Sequence, residues 1–289
     1  MKKITITGVP EHFNFPWLQV VAKQPFLAKG IHLEWIDEPK GSGAMNKSLR
    51  EGTTDMAIVL TESFIKDKIE GNPALIIGYH VESPLVWGIH SSVKSEIKDI
   101  SELNHGQFVI SRYGSGSHLM GFLLAKREGW DLEKLDFEVV GDLDGAKEAL
   151  QDETPKLFLW EKFTTKPLVD LGIFNRIGEI PTPWPCFVMV ANPEILEEHL
   201  GIIGILRDMV YQESTTLLKK SDYPLLLSEK YKIKREDIEL WLTQTTWAKN
   251  SRISKISLQE TMDILKDLNL IEKTMEPEDL VVKPLVVLY

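Results

Sequence analysis

The sequence predicts an α/β protein in which a strand–helix alternation runs through twice and then gives way to helices. Three observations carry that prediction. Short apolar or alternating runs recur between amphipathic stretches from Ile4 onward, and such an order builds mostly parallel sheets with helices on both faces. The pattern restarts near Gln107, and it stops beyond Asn192-Pro193, where helical periodicity takes over. A length of 289 residues favours two lobes or one large α/β domain.

In order along the chain, Ile4 to Thr7 alternates as a first strand. Asn14-Phe15-Pro16-Trp17 reads as a helix start, because proline fits a first turn and asparagine can cap it. Leu18, Val21 and Ala22 continue one face of that helix, and Gly30 ends the segment. Ile31 to Ile36 alternates as a second strand, and Gly41-Ser42-Gly43 turns into a short helix carrying Met45 and Leu49. Asp55 to Leu60 is a third, more buried strand followed by a helix through Lys66, and Ala74 to Ile77 is a fourth. The second round has a strand at Gln107–Ser111, a Gly/Ser loop at 113–117 and a helix from Leu119 to Lys126. A strand at 136–140, a helix at 146–151 and a buried strand at 157–160 come next. A helix from about 162 to 171 and a strand at 176–180 complete it. Segments 193–219, 234–248 and 257–268 read as amphipathic helices, and Ser257-Leu258-Gln259-Glu260 has capping-box spacing. No fixed-period repeat is present, so solenoids are excluded.

Composition narrows the function classes. Hydrophobic residues make up 43% and charged residues 26%, as in soluble globular proteins. The 33 basic and 43 acidic side chains leave a net charge of −10. A net anion without a Lys/Arg-rich run is poorly suited to nucleic acid. The single cysteine, Cys186, rules out an internal disulfide and a Cys-rich zinc site. No apolar stretch reaches the ~18 residues of a membrane span. Met1 to Gly8 enters a strand directly without a leader-like apolar region, which predicts a cytoplasmic protein, or a periplasmic one if a leader has been removed.

Several phrases resemble a known family. These are Gly30-Ile31-His32-Leu33-Glu34-Trp35, the Gly41-Ser42-Gly43 turn, the run from Leu49 to Ile58, Gly114-Ser115-Gly116-Ser117-His118, Leu157 to Glu161, and the crossing from Pro183 to Asn192. Together, over roughly residues 4–200, they look like the type II periplasmic-binding-protein-like superfamily, in its sulfonate, taurine, nitrate and thiamine-precursor binding branch. The resemblance implies a two-lobed clamp, each lobe a mixed sheet flanked by helices. Residues 1–86 and 187–289 would form the first lobe, C-terminal helices included, and 87–186 the second. Crossing strands near 83–89 and 183–190 would form the hinge, with ligand held between the lobes beyond the strand ends.

Candidate ligand-binding residues follow. Gly114, Ser115, Gly116, Ser117 and His118 precede a helix, where backbone N–H groups and hydroxyls suit an anion. Read alone they are an ordinary turn with Ser117 as N-cap, and the family placement favours ligand binding. Gly41 and Ser42 form the matching turn of the first lobe, where a plain surface turn would look identical. Phe13 and Asn14 either face the ligand or serve as staple and cap. Thr61 and Glu62 follow the third strand, and Trp160 and Glu161 close a strand of the second lobe. The acids are either dipole partners on the surface or acceptors for an amine or protonated ring nitrogen. Tyr113, Trp160 and Trp184 are candidate aromatic walls, although core packing must account for most of the eight tryptophans. No metal is expected, because H-E-x-x-H is absent. No catalytic residue is assigned, since Cys186 has no neighbouring histidine and the adjacent Ser117-His118 pair does not make a triad.

The first reading is therefore a small-molecule binding protein without a cofactor. Its ligand would be a small sulfonate, amine or thiamine-precursor metabolite, with a zwitterion or amino-substituted ring reconciling helix starts with acidic groups. Any link to an ABC transporter follows from the resemblance. The alternative is a cytoplasmic biosynthetic enzyme on the same fold, menaquinone- or thiamine-pathway-like, with Glu62 or Glu161 as general base. A third reading, a module that signals ligand status to a protein partner, draws on the C-terminal helices and apolar tail.

Overall fold

Residues Met1–Tyr289 are all described by the computed structural model. They cluster into two units, the first comprising Met1–Ser83, Trp184–Tyr231 and Leu242–Tyr289, the second Pro84–Pro183 and Lys232–Trp241. Each is an α/β unit with one five-stranded mixed sheet, the fold class the sequence predicts. The chain passes from unit 1 to unit 2 after Ser83 and returns after Pro183. The sequence assigns 187–289 wholly to the first lobe, whereas Lys232–Trp241 clusters with unit 2.

In unit 1, β1 (Lys2–Gly8) leads through a 3-10 turn at His12–Asn14 into α1 (Phe15–Lys23). Then come β2 (Ile31–Asp37), α2 (Ser42–Arg50), β3 (Met56–Leu60), α3 (Thr61–Ile69) and β4 (Leu75–Val81). The sheet order is β2-β1-β3-β10-β4, where β10 (Phe187–Ala191) is the returning strand. It is parallel from β2 through β3, and β10 runs antiparallel to both its neighbours. Every residue of β3 and β10 is buried, as expected for central strands covered on both faces. Polar groups fix the opposite end of this sheet. Asp55 accepts hydrogen bonds from the N–H and hydroxyl of Thr5 at 2.7 and 2.8 Å, and Asn192 donates to the Thr54 carbonyl at 2.6 Å.

Unit 2 contains β5 (Val86–Ser92), β6 (Gln107–Ile110), α4 (Gly116–Glu128), β7 (Asp136–Val139) and α5 (Leu143–Ala149). It continues with β8 (Lys156–Glu161), α6 (Lys166–Asp170) and β9 (Phe174–Pro181). The order is β7-β6-β8-β5-β9, parallel for β6, β7 and β8 and antiparallel at β5 and β9. Val109, Ala146, Leu150, Phe158 and Phe174 form one core cluster. On α4 the buried side chains are Ser117, Leu119, Met120, Leu124 and Ala125, and Gly129 ends the helix at φ +72°, the left-handed conformation glycine adopts without a Cβ clash.

Beyond β10 the chain is helical, as read from sequence: α7 (Pro193–Leu217), α8 (Tyr223–Tyr231), α9 (Arg235–Gln244), α10 (Lys255–Asp267) and α11 (Pro277–Leu280). A short pair, β11 (Arg252–Ile253) and β12 (Val287–Leu288), ties down the apolar tail. Within unit 2, Asp237 lies 3.7 Å from Lys166, and Lys234 pairs with Asp170 at 2.8 Å.

Local readings differ in four places. The helix expected from 162 to 171 begins only at Lys166, because Glu161 and Thr165 close a turn first. The cap of α10 is Ser254, which accepts from the Ser257 N–H at 3.2 Å, so Ser257 sits inside the helix. At α4 the N-cap is Ser115 rather than Ser117. Asn14 makes no side-chain cap bond and instead donates from Nδ2 to the Val9 carbonyl at 2.8 Å.

Candidate functional site

The carboxyl end of the unit 1 sheet gathers most of the first-lobe candidates. β3 is an interior strand, so the residues that follow it start buried. Thr61 and Glu62 are both fully inaccessible, and the Thr61 N–H donates to the Cys186 carbonyl at 3.0 Å. Trp184, just across the chain's return, donates from Nε1 to Glu62 Oε2 at 2.8 Å. Glu62 Oε1 and Thr61 Oγ1 make no hydrogen bond. Burial pushes the Glu62 carboxyl up to about 7 against the partial relief of its own backbone N–H and the indole. A buried acceptor without a partner carries a desolvation cost, and here two such oxygens stand on successive residues.

The neighbouring turns are tied into this end. Ser42 opens α2 and its hydroxyl accepts from the Leu60 N–H at 2.9 Å, while Gly41 takes φ +77°. Phe13 is buried against Phe187, ring centroids 5.2 Å apart, and its carbonyl receives His80 Nε2 at 2.9 Å and Trp247 Nε1 at 3.1 Å. His12 is buried, and desolvation lowers its imidazole to about 3. It is therefore neutral and supplies no positive charge. Phe13, Asn14, Ser42, Thr61, Glu62 and Trp184 are thus all buried at or beside the strand ends, and Gly41 precedes Ser42.

Unit 2 has its own strand-end cluster. β6 runs into the 111–117 loop, where Ser115 Oγ lies 2.9 Å from Ser117 Oγ and accepts the His118 N–H at 3.3 Å. Ser117 Oγ in turn accepts the Ser111 N–H at 3.1 Å. Both hydroxyls are buried and occupied within the loop, so they shape it from inside. Gly114 donates its N–H to His118 Nδ1 at 3.1 Å, and the His118 ring meets Tyr113 edge-on at 5.3 Å. Tyr113 is 65% exposed and also meets the Phe137 ring edge-on at 6.4 Å. Gly116 is the first residue of α4.

At the end of β8 the two candidates separate. Trp160 stacks on Phe158 at 5.4 Å and packs against the core cluster, which accounts for most of its surface. Glu161 is buried, and its Oε2 accepts the N–H groups of Phe163 at 3.0 Å and Thr164 at 2.6 Å. Burial raises its pKa, with those backbone donors opposing. Glu161 therefore closes the β8 turn. Trp87, paired with Glu161 in the sheet, is 5% exposed and its Nε1 has no hydrogen bond. Sequence reading passes over Trp87, because no spacing signals an unmet donor.

No group of three or more His, Cys, Asp or Glu side chains is arranged to hold a metal. No helix is long and apolar enough to cross a membrane.

Comparison with known proteins agrees with this architecture. Residues 87–180 match a family described as Ca3427-like PBP. No curated protein matches the chain. Among solved structures, the Candida albicans CA3427 gene product, described as exhibiting the generic periplasmic binding protein fold, superposes with a TM-score of 0.87 at 24% identity, covering 98% of this chain and 97% of that one. The alkanesulfonate-binding protein SsuA from Xanthomonas axonopodis pv. citri, bound to MOPS, gives 0.76 at 13% identity over 100% and 99%. PhnD1 from Prochlorococcus marinus, in complex with methylphosphonate, gives 0.61 at 10% identity over 93% and 99%. With two α/β units, a chain that passes out and back between them, and these superpositions over nearly its whole length, the protein has the fold of the type II periplasmic-binding-protein-like superfamily.

Proposed function

We propose that the protein is a solute-binding protein whose ligand presents a hydrogen-bond donor or cationic nitrogen to Glu62. The observation that carries this reading is the pair of unpartnered, fully buried oxygens, Thr61 Oγ1 and Glu62 Oε1, at the carboxyl end of β3. That is where open α/β sheets bind ligands. A carboxyl held near pH 7 is available as an acceptor for an ammonium or amino group. In unit 2, the unpaired Trp87 N–H and the start of α4 offer donors to an acceptor or anionic group. An aminosulfonate or an amino-substituted ring of the thiamine-precursor type carries the nitrogen that the Glu62 carboxyl would accept. The solute-binding neighbours, among them the ligand-binding component of an ABC-type import system from Staphylococcus aureus, support capture and delivery of such a solute.

The test is mass spectrometry of the small molecules that co-purify, followed by calorimetric titration of the compound found, or of an aminosulfonate and aminopyrimidine panel. Binding should weaken by tenfold or more in Glu62→Gln if a cationic nitrogen sits on the carboxylate, as loss of a charge-assisted bond of about 1.5–3 kcal/mol implies. Equal affinity in the variant, or ligands with neither donor nor positive charge, would overturn the reading.

A further inference from the structure

Unit 1 holds a small chamber that Glu62 and Thr61 do not line. It has a volume of about 50 Å³ and lies where the β1–α1 loop, the end of β2 and the last turn of α8 meet. A water molecule occupies about 30 Å³ of liquid, so the space takes one small ion or one to two waters.

Among its polar lining groups, acceptors outnumber cations. Glu11 and Asp37 contribute carboxylates, Asn14 an amide, and Tyr231 a phenol. Asn14 is 2% exposed, and its orientation is fixed because only Nδ2 can donate to the Val9 carbonyl. That leaves Asn14 Oδ1 without a hydrogen bond, and Tyr231 Oη is in the same position. Two buried oxygens that lack partners therefore border one chamber, and each is costly unless something satisfies it. The local field is negative as well. Burial foremost, and then the charges of Asp37 and Glu11, push the Tyr231 phenol upward. The carbonyl end of α8 adds partial negative charge. Against these stands one lining cation, Lys230, whose Nζ lies 5.6 Å from the Tyr231 ring centroid. Trp35 donates its indole N–H to Asp37 Oδ1 at 2.7 Å, so that donor is already engaged.

We propose that this chamber binds a small monovalent cation, of the sodium, potassium or ammonium class, through Asn14 Oδ1, Tyr231 Oη and the Asp37 and Glu11 carboxylates. Divalent ions are disfavoured: calcium takes six to eight oxygens and several charges, whereas this site has two carboxylates offset by a lysine. The inference goes beyond solute binding, since Thr61, Glu62 and Trp184 do not line the chamber.

The experiment uses the full chain and records melting midpoints in chlorides of choline, sodium, potassium and ammonium at one ionic strength. A cation present at about five times its dissociation constant should raise the midpoint by about 2–4 °C relative to choline. That rise should disappear in Asp37→Asn, which retains an oxygen for the Trp35 N–H, and in Tyr231→Phe. Identical midpoints in all four salts, or an undiminished rise in both variants, would overturn the proposal and leave a hydrated chamber. Trp35 on the chamber wall gives a reading that needs no variant. A saturable change in tryptophan emission with one of the three small cations, but not with choline, supports the site, and superimposable titrations overturn it.

Discussion

Replacing Glu62 with glutamine removes one ionisation from the interior of unit 1 while leaving its shape in place. Glu62 is fully buried, and burial lifts its carboxyl to about 7 from an ordinary value of 4.5. Between those two pH values the folded chain binds more protons than the unfolded one, so this group makes stability fall as pH rises. Below the lower value both states hold the proton and the contribution vanishes. Above pH 7 the ionised carboxylate costs about 3 kcal/mol, at ~1.4 kcal/mol per pH unit. Glutamine keeps an oxygen for the Trp184 N–H and carries no charge. Glu62→Gln should therefore be more stable than the parent by about 3 kcal/mol near pH 8 and nearly equal to it near pH 4. In a thermal melt this is a gain of roughly 6–12 °C for a unit of 150–250 residues. The assay is a set of urea and thermal melts of both proteins across that range, with no ligand present. A stability difference that does not change with pH, or a variant less stable than the parent at pH 8, would refute the reasoning. Together with the expected loss of solute affinity, a gain would mark Glu62 as a residue kept for binding at a cost in stability.

Two further substitutions test the packing around these sites. Gly78→Ala places a Cβ 2.2 Å from Tyr211 Oη and 3.0 Å from Arg207 Cδ, and should destabilise the chain by about 1–3 kcal/mol in a urea melt through overpacking. An unchanged urea midpoint would show that Tyr211 moves aside freely. Ser115→Ala removes the cap of α4 and a partner of Ser117. Stability should drop by about 1 kcal/mol, with faster hydrogen exchange at the His118 amide. Unaltered exchange there would mean that the serine network does not hold the loop.

The alternation of strands and helices was readable because it is a property of short apolar runs. Ala74–Ile77 and Leu157–Trp160 need no tertiary information to be recognised; Leu75–Ile77 opens β4 and Leu157–Trp160 lies within β8. The helix α8 has no clear apolar face in sequence, because Pro224 stands near its start and Leu225 and Leu226 lie partly exposed beside the buried Leu227. Segment Lys232–Trp241 gave no sign that it clusters with unit 2, since an ion pair such as Lys234–Asp170 spans distant parts of the chain.

At the site, position was legible and chemical state was not. Thr61 and Glu62 stand out from sequence because they follow a strand, yet their missing partners depend on where Trp184 and Cys186 return. Glu161 looks like the counterpart of Glu62 in sequence, but two backbone N–H groups already occupy one of its oxygens. The serines of the 115–117 loop advertise hydroxyls to a ligand and spend them on each other. Trp87 carries its signal only through an unpaired N–H inside a strand.

The position of β10 between β3 and β4 has a consequence for synthesis. When the ribosome has made the first 83 residues, β1, β2 and β3 can associate, but the slot that completes the sheet stays vacant until about a hundred more residues emerge. Pro84–Pro183 is continuous and can condense during that wait. Until Phe187–Ala191 arrives, β3 presents an open, wholly apolar edge, the kind of surface that nascent chains pair in error.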